Sequence, residues 1–396
     1  MDYMVKKEKK VVLKKGKEKA LRNKHHWIFS GAVHALPTFS PGEILPVYSF
    51  EKELLGSAYF NSSSSIIGRM LSFGDEDPLT SVRNNLDKAI NLREHYFDES
   101  KTNAYRLVNG EGDRIPGLIV DKYADVLVLQ VSTLGIDKIK NEILSFLLKR
   151  FPSCQMILEK SQLPSRKEEG LENFEGLLHG KEIDEVEVIE NSVKFLVSFS
   201  KSQKTGFFLD QRDMRDLVGQ LSHKKRVLNC FSYSGGFSLY AAKMGADKVV
   251  SVDISQSAID LAQRNFDLNG HSLEEGSLIC DDVFQYLRKD SLDFDIVILD
   301  PPAFAKKKGD VKKACRGYKD INRLALQKMP SSSLLLTCSC SYHVDEKLFQ
   351  TVVFQAAQES GREVQILTQH RQAFDHPVNI FHPEGKYLKS LLLYVS

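Results

Sequence analysis

From Val227 to the C-terminus, short apolar runs alternate with stretches of helical periodicity, and this alternation limits the fold more than any other feature of the chain. "RVLNCF", "KVVSVDI", "SLICDD", "FDIVILD", "SSLLLTCSC", "REVQILTQH" and "YLKSLLLYV" read as strands, and helices are expected over 236–244, 256–269, 283–289, 318–328 and 345–359. Parallel strands need a crossover between them, so such alternation builds a doubly wound, Rossmann-like α/β sheet. Only a loop containing "DHPVNIFHPEGK" separates the last two strands, which permits an antiparallel pair there.

In a sheet of this kind, ligands bind beyond the carboxyl ends of the strands, where the strand order reverses. The first strand runs into "NCFSYSGGFS", where Gly235 and Gly236 let the backbone approach a ligand closely. The second ends at Asp253, seventeen residues after Gly236, with a carboxylate suited to ribose hydroxyls; the third ends in Asp281 and Asp282, placed for an adenine amino group. Together these describe an adenosine-containing cofactor. The loop lacks the G-x-G-x-x-G spacing that serves a pyrophosphate, so a cofactor without phosphates fits better than NAD.

The fourth strand ends in "DPPAF", where Pro301 and Pro302 stiffen the turn and Asp300 faces the space beside the cofactor. Phe304 is placed to lie against a flat base, although a D-P-P turn taken alone is more often only a turn. The fifth strand ends in "TCSCS". Alternation along a strand puts Cys338 and Cys340 on one side, with Cys340 nearer the carboxyl end. A C-x-C spacing without a second Cys/His pair nearby does not make a zinc site, and no metal is expected. The six cysteines are too sparse for a disulfide scaffold.

Upstream, residues 1–75 read as short β segments of a small barrel or sandwich. In "GKEKALRNKHHWIFSGAV", Lys17, Lys19, Arg22 and Lys24 precede Trp27 and Phe29, which joins counter-charge for phosphates to stacking surface for bases. Trp27 is expected to fill the core of this unit, leaving RNA contact to the charges. Residues 76–185 read as an α+β unit, with "SRKEEGLENFEGLLHGKE" as loop, and the hairpin "VEVIENSVKFLVSFS" opens the third unit, residues 186–396.

Net charge is only +2, but residues 1–24 hold ten Lys/Arg against three Asp/Glu, and a second basic cluster runs from Lys306 to Arg323. Basic patches on a near-neutral chain suit a polyanion. The N-terminal run reads equally well as a solvated tail. The second cluster follows the D-P-P turn, so Lys312, Lys313 and Arg316 are expected to grip RNA phosphates. No apolar run approaches the ~20 residues that span a bilayer, and "MDYMVKKEKK" lacks the apolar core of a secretory signal. A soluble, cytoplasmic protein without a membrane partner, its thiols reduced, is expected.

Taken in order, "VLNCFSYSGGFS", "VDIS", "CDDVF", "DPPAF" and "TCSCS" resemble the class I S-adenosylmethionine (SAM) RNA methyltransferases, and specifically the bacterial RlmI-type 23S rRNA cytosine-C5 methyltransferases. The likeness extends to "KTGFFLDQR", "ACRGYKDIN" and "DHPV...PEGKYLK", and "GKEKALRNKHHWIFSGAV" is similar to that family's PUA RNA-binding domain. The resemblance implies SAM contacts by Phe231, Ser232, Ser234, Gly235 and Gly236, by Asp253, Ile254, Asp281, Asp282 and Asp300, and by Asp210, Gln211 and Arg212 closing over the methionine end.

The same resemblance implies Cys340 as the nucleophile that adds to cytosine C6 and 23S rRNA as partner; Cys338 is assigned to packing, and Asp300 is further expected to hydrogen-bond the cytosine edge. Ala303 stands where many cytosine-C5 RNA methyltransferases carry a second cysteine. This departure leaves the acceptor of the C5 proton unassigned, with Cys315 a weak candidate. Related D-P-P enzymes methylate guanine N7 or a base amino group without a thiol, and that activity is the alternative. A non-enzymatic RNA-binding or assembly protein with a vestigial SAM site is another. Whether the chain forms a homodimer is left open.

Overall fold

The computed structural model describes residues 9–200, 205–288 and 291–396. Lys6 and Lys7 of the basic N-terminal run, Lys204 of "KTGFFLDQR" and Lys289 at an expected helix end lie outside the described residues. Strands β1 (Val11–Leu13), β2 (Trp27–Ile28), β3 (Val33–Ala35), β4 (Glu43–Tyr48), β5 (Leu54–Phe60) and β6 (Gly68–Phe73) form one sheet in the order β2-β6-β5-β4-β1-β3. Its core gathers Val11, Leu13, Ile28, Leu45, Val47, Phe60 and Met70. Trp27 is not part of that core, contrary to expectation. It sits on the short edge strand β2, and its indole leans out over a seam, where Nε1 donates to Glu111 Oε1 at 2.9 Å and the ring meets His382 edge-on at 4.4 Å.

The central unit is a five-stranded sheet of β7 (Ala104–Asn109), β8 (Leu118–Tyr123), β9 (Val126–Val131), β10 (Met156–Ser161) and β11 (Phe174–Gly180), in the order β11-β10-β9-β8-β7. The helix Pro78–Tyr96 covers it. Asp77 caps that helix by accepting from Thr80 N at 2.9 Å, Pro78 occupies the first turn where no donor is needed, and Val82, Leu86 and Ile90 are buried. The stretch read as loop contains a short helix, Pro164–Glu168, and β11. Most side chains of β11 are exposed, so it carries no apolar alternation, and antiparallel pairing with β10 makes it a strand.

The hairpin β12 (Glu185–Glu190) and β13 (Val193–Ser198) turns at Asn191 and Ser192, both at positive φ, as a two-residue hairpin turn requires. Its Phe195 and Val197 share one apolar cluster with Tyr123, Val126 and Met156 of the central sheet and with Leu239, Phe266 and Ile298 further on. The core therefore runs on through the expected boundary at 185/186.

The last sheet has seven strands: β14 (Arg226–Cys230), β15 (Lys248–Asp253), β16 (Leu278–Cys280), β17 (Ile296–Leu299), β18 (Ser333–Ser339), β19 (Val364–His370) and β20 (Lys389–Val395). Their order is β16-β15-β14-β17-β18-β20-β19, with β14 to β18 parallel and β20 antiparallel between β18 and β19. The doubly wound sheet and its antiparallel end are as the sequence predicts. Because β14 pairs with β15 on one side and β17 on the other, the order reverses there, and a crevice opens beyond their carboxyl ends.

The helix expected at 318–328 begins at Val311. Its Lys-rich start hides an apolar stripe: Ala314, Tyr318 and Ile321 are buried at helical spacing, so packing extends the helix through the charges. Among the described residues, no helix is long and apolar enough to cross a membrane.

Candidate cofactor and substrate site

The loop after β14 winds tightly. Phe231 and Tyr233 have φ of +60° and +46°, and Gly235 has +78°. A left-handed conformation at a non-glycine residue costs about 1–2 kcal/mol, so the surroundings must hold it. They do: Ser232 N donates to Val252 O at 3.1 Å, Tyr233 N to Asp253 Oδ2 at 2.9 Å, and Gly235 N to Ser232 O at 2.9 Å. A Cβ on Gly235 would meet Ala262 Cβ at 3.1 Å, so this glycine serves both the conformation and the close packing against the next helix. The other Asp253 oxygen accepts from Ser255 N at 2.9 Å. With both oxygens fixed by backbone donors, the carboxylate keeps lone pairs for a ligand.

A cavity of about 560 Å³ opens at the reversal point. Phe231, Ser232, Ser234, Gly236, Asp253 and Ile254 line one side, and Asp210, Gln211, Asp300, Pro301, Pro302 and Cys340 also border it. The hydroxyl oxygens of Ser232 and Ser234 are buried with no hydrogen-bond partner among the described residues. Such groups cost about 1–3 kcal/mol each when left unmet, so a polar ligand in this crevice completes them. Ile254 is 71% exposed and presents an apolar face. Fixed acid, orphan hydroxyls and apolar platform fit an uncharged nucleoside better than a pyrophosphate.

Five of the residues expected to touch ligand do not border the cavity. Asp282 caps the helix Val283–Tyr286 by accepting from Gln285 N at 3.0 Å, and Asp281 Oδ1 accepts from Asp282 N at 2.8 Å; neither borders the cavity. Arg212 is turned into the interior, where Nη2 donates to Ala104 O at 2.9 Å and to Asp375 Oδ2 at 3.0 Å. Phe304 leans on the Tyr318 ring at 4.6 Å, in a space that Gly317 leaves open, and packs against the core instead of facing the cavity. Gly235 acts from behind, through its backbone.

The two thiols differ sharply. Cys338 is wholly buried in the core, and burial, aided by the nearby Asp300 carboxylate, pushes its thiol well above the usual range. Cys340 is half-buried at the cavity wall, with Sγ 4.0 Å from Pro301 O. Between them and the loop, Gln211 Nε2 donates to Asp300 Oδ1 at 2.9 Å and fixes that carboxylate.

The segment 375–389 contributes more than its residue types disclosed. Asp375 accepts from Arg106 N at 2.8 Å and pairs with Arg212 and His376, and these charges hold its carboxyl far below the usual range against the effect of burial. Tyr387 OH donates to Asp210 Oδ2 at 2.6 Å. Lys389 Nζ donates to Ser341 O and Tyr387 O, both at 2.7 Å. The motif "DHPV...PEGKYLK" was the available signal, but a sequence does not say which of its residues face the fifth strand.

Of the basic residues, Lys17 and Lys19 are exposed, as are Lys312, Lys313 and Arg316. Arg22 is engaged by Glu53 through two contacts of 2.8 and 2.6 Å. His25, His382 and Glu384 bring metal-capable atoms within 4.8 Å of one another. Yet Trp27 N donates to His25 Nδ1 at 3.2 Å, which leaves the proton on Nε2 facing Glu384. A metal-bound imidazole needs the opposite tautomer, so this cluster reads as a polar clasp.

The strand order, the glycine turn at the reversal and the fixed acid after β15 are those of a class I SAM-dependent methyltransferase. A family model described as S-adenosylmethionine-dependent methyltransferase matches residues 169–360, and one described as PUA-like domain matches residues 11–73. The chain is 41% identical over 391 residues to the ribosomal RNA large subunit methyltransferase I of Aeromonas salmonicida, covering 97% of this chain and 98% of that protein. It is equally 41% identical over 388 residues to the protein of that name from Vibrio cholerae, covering 96% and 97%. Among solved structures, a protein described as a SAM-dependent methyltransferase from Streptococcus mutans superposes at a TM-score of 0.82, with 24% identity and 97% and 99% of the chains covered. A methyltransferase solved with S-adenosylhomocysteine superposes at 0.84, with the same identity and coverage. The chain belongs to the ribosomal RNA large subunit methyltransferase I family. Its cofactor is S-adenosylmethionine, and its N-terminal sheet is a PUA-like domain.

Proposed function

We propose that the protein methylates C5 of a cytosine in large-subunit (23S) rRNA through a covalent adduct at Cys340. The observation that carries this reading is the placement of Cys340, and not Cys338, on the wall of the cavity that Asp253 and Asp300 also line. SAM, when bound, supplies the methyl group as an electrophile on a sulfonium. The Asp253 carboxylate is set to accept from ribose hydroxyls, Ser232 and Ser234 offer hydroxyls to the polar rim, and Ile254 packs the adenine. Asp210 and Gln211 close the methionine end, with Arg212 bracing them through Asp375, while Asp281 and Asp282 shape the adjoining helix start.

Cytosine C5 is a poor nucleophile. Addition of the Cys340 thiolate would form an S–C6 bond and move the C5=C6 electron pair to C5, which would take the methyl group as the methyl–sulfonium bond breaks and its pair stays on the thioether; a base then takes the C5 proton, the C5–H pair restores the double bond, and the C6–S pair leaves with the Cys340 sulfur. Asp300, held by Gln211, hydrogen-bonds the cytosine edge while charge builds there. Pro301 and Pro302 flank the base. RNA is gripped by Lys17 and Lys19 of the PUA-like unit and by Lys312, Lys313 and Arg316, with residues 1–75, 76–185 and 186–396 as the three units of the chain and the cytoplasm as its place of action.

The test uses unmethylated large-subunit rRNA, labelled SAM, and mass spectrometry of the digested nucleosides. 5-Methylcytidine is expected, together with a protein–RNA adduct when 5-fluorocytidine replaces cytidine. Both should vanish in Cys340→Ser and persist in Cys338→Ser. Methylated guanosine, or transfer that survives Cys340→Ser, would favour direct N-methylation; absence of SAM binding would favour a non-enzymatic RNA-binding role.

A further inference from the structure

Lys389 is nine-tenths buried, yet it has no obvious use in the fold. Strand β20 runs antiparallel to β18 with Lys389 opposite Ser339, and its neighbour Leu388 borders the cavity. The ammonium reaches past that partner to the carbonyl of Ser341, the residue after Cys340, and to the carbonyl of Tyr387, at 2.7 Å each. Its hydrogen-bond partners among the described residues are thus carbonyls, neither of them a carboxylate. A cation withdrawn from water against neutral dipoles is costly unless a negative charge lies close by. Burial lowers its pKa to about 8, while Cys340, Asp345 and Glu346 act in the opposite direction.

We propose that Lys389 is a positioning residue that holds Cys340 as the thiolate, its ammonium pinned to the carbonyl beside the cysteine and serving as counter-charge to the sulfur. The inference rests on the reading of Cys340 as nucleophile. The proton leaving Sγ passes to solvent; Lys389 keeps its three protons, and no bond forms to it. Other charged or titratable groups act here too. The Asp300 carboxylate, just beyond β17, and Cys340 both raise the buried Cys338 thiol, and Tyr318, hydrogen-bonded to Ser341 Oγ at 2.9 Å, has its hydroxyl pushed up by burial and stays neutral. Asp345 and Glu346 lie near Lys389 at the start of the following helix. Among these described groups, Lys389 is the cation whose charge acts on Cys340.

The experiment is the rate of iodoacetamide alkylation of Cys340 in the full-length protein against pH, resolved by peptide mass spectrometry, with exposed Cys280 as the internal standard. In the wild type, the half-maximal rate should fall at least a unit below the ordinary thiol value of about 8.5. Lys389→Met should raise that midpoint by a unit or more and slow alkylation at pH 7 about tenfold, Lys389→Arg should restore it, and the Cys280 rate should not change. A wild-type midpoint near 8.5 overturns the proposal even if Lys389→Met fails to fold, and so does a folded Lys389→Met protein with an unchanged profile. A low midpoint in an enzyme that forms no 5-methylcytidine would instead defeat the cytosine reading and leave this one standing.

Discussion

Asp300 and Gln211 meet at the carboxyl end of β17, and their single contact of 2.9 Å joins the cofactor side of the cavity to the substrate side. The carboxylate accepts from the amide, which fixes its orientation at the cavity wall. Asp300→Asn preserves the shape and removes the charge. Methyl transfer is expected to fall about 100-fold, on the scale of losing one preorganised electrostatic group, with SAM affinity changed much less; single-turnover rates and calorimetry of SAM binding would show this. Full turnover in the variant would remove Asp300 from the chemistry. At this scale Asp253, Asp300 and Cys340 were legible as cavity residues at strand ends, whereas Asp281 and Asp282, also at a strand end, turn to the start of the next helix. Arg212 was not: a guanidinium next to Gln211 has the reach to face either the cavity or the interior, and Asp375 and Glu190 hold it inside.

The helix Val311–Lys328 shows what packing adds to pattern. Its buried face of Ala314, Tyr318, Ile321 and Leu324 turns Lys312, Lys313 and Arg316 outward in the turns that follow the Pro301–Pro302 segment. Exposed charges on a buttressed helix are held in register, unlike charges on a tail. Replacing all three by Gln keeps helix propensity, so the melting temperature should hardly move. RNA affinity should fall, and the slope of log K against log salt should become shallower by about 2, as three fewer phosphate contacts on single-stranded RNA require; filter binding across a salt series measures it. An unchanged slope would take the helix out of the interface. The strand β11 teaches the converse lesson. Its "FEGLLHG" has neither alternation nor apolar content enough to announce a strand, and hydrogen bonds offered by β10 supply what the side chains do not.

Across the whole molecule, the PUA-like sheet meets the segment 375–389 at a seam of rings. His25, Trp27 and His382 pack there beside Glu111 and Glu384, with His26 buried behind them. Burial first, and then His382, His25 and Arg114, lower the pKa of His26 to about 3. The unfolded chain binds a proton at this residue near 6.5 and the folded chain does not until about 3. Its contribution to stability is therefore complete above pH 6.5 and is lost as pH falls through that window, where the unfolded state holds more protons. Stability should be about 2 kcal/mol lower at pH 5 than at pH 7.5 on this account. His26→Gln should flatten the dependence; urea midpoints at the two pH values in both proteins would check it, and equal pH dependence would assign the effect to other groups.

By itself, the sequence determined the strand–helix alternation, the ladder of strand-end residues from Gly235 to Cys340 and the basic character of two segments, because all three follow from local periodicity and from residues adjacent in the chain. The different fates of Cys338 and Cys340 were also legible, from their order along the strand and from the family resemblance; only the tertiary structure decided where Trp27 and Phe304 turn, and that Lys389 reaches the carbonyl next to Cys340. Those outcomes depend on contacts between residues far apart in the chain, formed when β20 inserts beside β18 and when the 375–389 segment closes over the central sheet and the PUA-like unit. No local pattern encodes the free energy of such contacts.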